Sequence, residues 1–277
     1  MRIDAHQHFW RLSRGDYGWL NVEQFPRITR DFLPGDLAPS LEAAGIDRTI
    51  LVQAAPSEAE TGFLLELARA TPFVAGVVGW VDFEAPDAAE RIASLAANDG
   101  LVGLRPMIQD IADNEWMLRS ELAPVLDAMQ RYDLRFDALV KPRHLPALME
   151  FLESYPRLAV VIDHGAKPDI ANQELVDWAR FMRQIARNSN AMCKLSGLAF
   201  EAGPGWSAQG LKRHVDVLLE CFGSSRLMFG SDWPVLNEVG DYKSWLAACE
   251  TLTEHLTAAE REQIFGGTAA SFYGIAA

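Results

Sequence analysis

The sequence predicts a (β/α)8 barrel, and three observations carry that reading. Short apolar, β-branched runs recur eight times along the chain. An amphipathic stretch of roughly helical length follows each of them. The length, 277 residues, is ordinary for one such barrel and long for one small core.

The strands are read at 2–8 (RIDAHQH), 49–55 (TILVQAA), 74–82 (VAGVVGWVD), 101–107 (LVGLRPM), 135–140 (RFDALV), 158–164 (LAVVIDH), 191–197 (AMCKLSG) and 226–232 (RLMFGSD). Helices are expected near 36–45, 57–70, 86–98, 119–132, 144–154, 173–187, 208–222 and 241–253. A further helix near 258–265 is marked by its start, where Thr257 as N-cap and Glu260 three residues later form a capping box. A doubly wound open sheet is the rival architecture. It calls for a glycine-rich phosphate turn after the first strand, and QHFWRL is nothing like one. No repeat, low-complexity tract or linker interrupts the alternation, so residues 1–277 are read as one domain.

Composition narrows the function classes. Hydrophobic residues make up 49% and charged residues 23%, the balance of a chain that folds and stays soluble. The net charge of -13 lacks the basic footprint of a nucleic-acid binder. No apolar run reaches membrane-spanning length. The expected partner is therefore a small-molecule substrate, and no segment specifies an oligomeric state. Cys193, Cys221 and Cys249 are odd in number and form no CxxC pair, which suits a reducing compartment. Asp4, His6 and His8 stand where the apolar core of a signal peptide would lie, so a cytoplasmic protein is expected.

In a barrel, chemistry gathers at the C-terminal strand ends and the loops that follow. The first strand ends in His6 and His8, two apart and hence on one face of a strand. The fourth ends in Arg105, the sixth in Asp163-His164-Gly165, the seventh in Lys194-Leu195-Ser196 and the eighth in Ser231-Asp232-Trp233. Singly, each has a structural explanation. His164 could be a core histidine bonded to backbone, Asp232 the N-cap of a turn into Pro234, and Arg105 an ion-pair partner. Jointly they fall at the ends of different strands of one barrel, which points to a shared catalytic site.

The phrases DAHQHFW, GLRPMIQD, IDHGAKP, CKLSGL and LMFGSDWPV resemble the sugar-lactonase branch of the amidohydrolase superfamily, the L-fuconolactonase- and L-rhamnonolactonase-like enzymes. The resemblance runs from the first strand to the last. It is more distant to the 2-pyrone-4,6-dicarboxylate lactonases. What it implies is hydrolysis of a small sugar lactone, L-fuconolactone or a similar one, with His6, His8, His164 and Asp232 as catalytic residues. The pattern departs from the two-metal members. Arg105 ends strand four, and strand five has no histidine. Lys141 lies just beyond strand five but lacks the companion ligands of a bridging lysine. His6, His8, His164 and Asp232 could hold at most one divalent ion, zinc best of all, and the branch resembles one in which activity need not depend on a metal.

The chemistry expected is acyl-oxygen cleavage of a cyclic ester. Asp232 takes a proton from water and returns it to the leaving alkoxide. The histidines stabilise the oxyanion directly or through one ion, and Arg105 fixes the substrate through its planar fork. Lys141 and the loop aromatics Trp10, Trp116, Trp206 and Trp233 are the expected substrate contacts, within a set that includes Tyr17, Trp19, Phe25 and Phe32; at least half of these aromatics are expected only to pack the loops. Two other activities fit the same residues: a metal-dependent decarboxylase or hydratase of an aromatic acid, and a pyrone-dicarboxylate lactonase. The second would call for several arginines at the mouth, and only Arg105 is in evidence.

Overall fold

In the computed structural model, which describes residues 1–276, eight strands follow one another in a single sheet of sequential order. They are β1 (Ile3–Gln7), β2 (Arg48–Val52), β3 (Val74–Gly79), β4 (Leu101–Leu104), β5 (Arg135–Ala138), β6 (Val160–Ile162), β7 (Met192–Leu195) and β8 (Leu227–Phe229). Every neighbouring pair from β1–β2 to β7–β8 is parallel. The main intervening helices are α1 (Pro34–Ala44), α2 (Glu58–Ala70), α3 (Ala88–Leu95), α4 (Ala123–Arg131), α5 (Leu145–Ser154) and α6 (Val176–Asn188). They continue with the short α7 (Leu198–Ala202), then α8 (Ala208–Phe222), α9 (Tyr242–Leu252), α10 (Ala258–Glu262) and α11 (Thr268–Tyr273). The barrel is the fold that the alternation predicts. Among the described residues no helix is long and apolar enough to cross a membrane.

The strands are apolar because both of their faces are covered. On β6, Val160 and Ile162 face the helix layer, while Val161 joins Ile3, Ala5, Ile50, Val52, Val78 and Met228 inside the barrel. Phe272 and Tyr273 of α11 pack into the same inner cluster and plug it. The sequence pattern misses this last helix and α7. The expected helix at 258–265 also ends early: after α10 the chain makes a wide π-type turn at 263–267. Gly266 is the reason it can, since a β-carbon there would sit 2.1 Å from the Met1 carbonyl oxygen.

The seam between β8 and β1 is closed just beyond the strands. The Asp232 amide donates to the His6 carbonyl at 2.8 Å, and the His8 amide to the Trp233 carbonyl at 2.7 Å. Beneath them the buried Asp4 carboxylate accepts the Ser231 amide at 2.8 Å and the Tyr242 hydroxyl at 3.0 Å. Burial raises the Asp4 carboxyl to about 6, with those donors opposing. The hydrogen bonds that close the barrel thus run through the same backbone that carries His6, His8 and Asp232.

Candidate active site

The register of β1 against β2 shifts between Asp4 and Gln7. Ala5 packs inside the barrel, and so does the neighbouring His6, beside Asp163 and Lys194. Strict alternation would send adjacent residues to opposite faces, so the irregularity turns His6 inward. His6 and His8 do converge, with their Nε2 atoms 3.2 Å apart.

His164 and Asp232 reach the same volume from left-handed backbone, at φ 54° and 58°. The turn at the end of β6 is left-handed over four residues, His164 through Lys167. Each non-glycine residue there costs on the order of 1–2 kcal/mol, the kind of strain that persists where a fold over-determines a functional geometry. Gly197, itself left-handed, makes room for the His164 ring; a β-carbon would lie 2.6 Å from His164 Nδ1.

The four residues form one constellation. Asp232 Oδ1 lies 3.3 Å from His8 Nε2, 3.8 Å from His6 Nε2 and 3.9 Å from His164 Nε2. His8 Nδ1 is 2.8 Å from the Val52 carbonyl oxygen, which can only accept, so Nδ1 carries a proton and Nε2 turns toward the site. His164 Nδ1 meets the Ser196 hydroxyl at 2.9 Å, and that hydroxyl can donate or accept. Burial by itself would raise the Asp232 carboxyl, but His164, His8 and His6 outweigh it and hold it well below the usual carboxylate range. Burial pushes His164 down to about 4 against the opposing carboxylates, and His6 also falls well below the ordinary imidazole value.

Beneath this cluster lies a buried charge network; the sequence reading placed Arg105, Asp163 and Lys194 at strand ends but missed Asp137, Tyr273 and the pairing itself. Lys194 Nζ pairs with Asp137 and, at 3.0 Å, with Asp163 Oδ1, and it sits 3.3 Å from His6 Nδ1. Arg105 Nη1 reaches Asp163 Oδ2 at 3.2 Å and His6 Nε2 at 3.3 Å, while Nη2 donates to the Gln53 carbonyl. The Tyr273 hydroxyl of α11 donates to Asp137. Burial would raise Asp163, but Lys194, His6 and Arg105 hold it well below its ordinary value.

His8, His164, Asp232, Arg105 and Lys141 all line one cavity of about 610 Å³ at the barrel mouth, with Trp19, Phe25, Phe200, Lys167, Glu201 and Asp110 around it. The four tryptophans expected there do not reach it. Trp10 is buried with its indole donating to the Arg30 carbonyl. Trp116 packs on Phe83. Trp206 donates to the Val239 carbonyl and packs on Trp245, and Trp233 sits against Phe9 and Phe32. Packing under the loops buries more apolar area than facing the cavity would. The wall comes instead from Trp19 and Phe25, which lie in the long loop after β1; the Trp19 indole is fixed by the Ala54 carbonyl at 2.8 Å.

The family model described as amidohydrolase matches residues 3–275. The chain belongs to the amidohydrolase family. It is 47% identical over 278 residues to an L-fucono-1,5-lactonase of Burkholderia ambifaria, covering 99% of this chain and 96% of that one. To an L-fucono-1,5-lactonase of Burkholderia multivorans it is 38% identical over 288 residues, with the same shares covered. A crystal structure of an amidohydrolase from Burkholderia multivorans with bound zinc superposes over the whole of both chains with a TM-score of 0.94 at 38% identity.

The donor set of this amidohydrolase fits a divalent metal site. His6, His8 and Asp232 offer ligand atoms within 4.8 Å of one another. Separations of 3.2, 3.3 and 3.8 Å are near the edge of about 3.3 Å that bonds of about 2.0 Å make around tetrahedral zinc. A second grouping, His6 with Asp163 and His164, has its carboxylate oxygens already facing Lys194 and Arg105. Protein cations stand there where a second ion would need free ligands.

Proposed function

We propose that this amidohydrolase opens the ring of a small sugar lactone, L-fucono-1,5-lactone or a near relative, by attack of water that Asp232 activates. The observation that carries the reading is a carboxylate, ringed by three imidazoles, in a cavity walled by Trp19 and Phe25. The full-length similarity to two L-fucono-1,5-lactonases supports the substrate class. Arg105, Lys141 and Lys167 in the mouth are balanced by Asp110, Glu201 and Asp232. That balance suits a neutral ring and supplies no arginine cluster for a dicarboxylate.

Asp232 accepts a proton from water as the water oxygen attacks the lactone carbonyl. The oxyanion develops beside Arg105, a permanent cation on the cavity wall. As the acyl-oxygen bond breaks, the proton held on Asp232 passes to the ring oxygen, and an open-chain hydroxy acid leaves. Aromatic faces cover the apolar side of the ring, and exclusion of water there strengthens the polar contacts. His6, His8, His164 and Asp232 would hold at most one divalent ion, zinc by its ligand preference, which when bound supplies Lewis-acid polarisation of the carbonyl. Turnover without the ion is expected, because Arg105 already places a positive charge beside the oxyanion. A pH-indicator assay of acid release from a panel of aldonolactones tests the assignment; no turnover of any sugar lactone overturns it.

A further inference from the structure

We propose that Lys167 and Glu201 form the specificity pair of the mouth, reading two neighbouring hydroxyls of the sugar ring. The inference rests on lactone hydrolysis and names the part of the site that distinguishes one sugar lactone from another.

Both side chains line the cavity that holds His8, His164 and Asp232. Lys167 Nζ stands 3.6 Å from Glu201 Oε1, too far for a tight hydrogen bond. The two heads are therefore paired in charge and still open to a third group. Both are largely shielded, with 19% and 23% of their side chains exposed. Burial raises the Glu201 carboxyl, and Lys167 opposes the rise.

The backbone is a second, independent observation. Lys167 has φ 50° and precedes Pro168, a position that favours extended backbone. Glycine would hold this left-handed conformation more cheaply, and Gly165 does so two residues earlier. A lysine at such a position costs stability. Its ammonium goes to the mouth and to Glu201 of α7.

The chemistry of the pair then selects the ligand. An ammonium only donates and a carboxylate only accepts, whereas a hydroxyl does both. Two adjacent hydroxyls can take a hydrogen bond from Lys167 and give one to Glu201, and bridge the 3.6 Å opening between them. A lactone without hydroxyls leaves the two heads with each other.

Glu201→Gln and Lys167→Met, each assayed on L-fucono-1,5-lactone and on unsubstituted δ-valerolactone, test this. The readout is the ratio of kcat/KM for the hydroxylated ring to that for the plain ring. Where valerolactone turns over too slowly to follow, its inhibition constant against L-fucono-1,5-lactone replaces the second term. Each variant should lower the ratio by about 10- to 100-fold, the value of a hydrogen bond to a charged group, mainly through KM for the sugar lactone. An unchanged ratio in both variants overturns the pair, whether activity on the two rings falls equally or not at all. Failure of the wild-type protein on every lactone overturns the proposed function itself, and the inference with it.

Discussion

His8 Nε2 faces Asp232 Oδ1 at 3.3 Å across the seam where β8 meets β1. The other ring nitrogen of His8 already donates to the Val52 carbonyl. A neutral His8 would therefore turn a lone pair toward an ionised carboxylate. A divalent ion held by His8 Nε2 and Asp232 Oδ1 would fit between them. The seam hydrogen bonds hold both residues at this point.

Asp232→Asn should keep the fold and lose at least about two orders of magnitude in kcat, the usual scale for a positioned general base. Steady-state kinetics beside a thermal melt check this. Near-native turnover would assign water activation to another group.

Exhaustive chelation should leave most lactonase activity in place, and elemental analysis should find no more than one tightly held ion per chain. Arg105 supplies the positive charge that the oxyanion needs. Complete, metal-reversible loss would make the ion essential, and two ions per chain would contradict the pairing of Asp163 with Lys194 and Arg105.

Removing the buried ammonium beneath the site should destabilise the whole barrel. Lys194→Met takes the ammonium from Asp137 and Asp163 and leaves them only Tyr273 and Arg105, at a cost of about 3–5 kcal/mol. Chemical denaturation measures it. A loss below about 1 kcal/mol would mean that Tyr273 and Arg105 alone satisfy the two carboxylates.

Stability should also report on Glu60. Its buried carboxylate accepts the Ala54 and Ala55 amides at the end of β2, and burial raises it from 4.5 to about 7 against those donors. The folded protein thus binds a proton that the unfolded chain has lost between these values. The stabilisation is full below about 4.5, falls as pH rises through about 7 and is flat above. Relative to Glu60→Gln, the wild-type protein should lose about 3 kcal/mol over that window. A pH-independent difference between the two would remove Glu60 as the titrating group.

The eight strands were legible because β-branched apolar runs have few other uses. Their ends were less so: β6 stops at Ile162 and β8 at Phe229, where left-handed turns take over to aim His164 and Asp232. The HxH spacing and the strand-end positions announced the four central residues. The wall aromatics were not readable, since a tryptophan that packs a loop and one that lines a cavity look alike in sequence. Asp137, and its pairing with Lys194, carried a signal that went unused. Each is a charge inside a buried strand, in RFDA and MCKL, and such charges survive only when paired. Their partners lie across the barrel, far apart in the chain.

The most direct test follows acid release from L-fucono-1,5-lactone by the metal-stripped protein, wild type beside Asp232→Asn. The account requires turnover by the wild type and its near-abolition in the variant. Absence of turnover by the wild type with and without added zinc, or equal turnover by the two proteins, would contradict it.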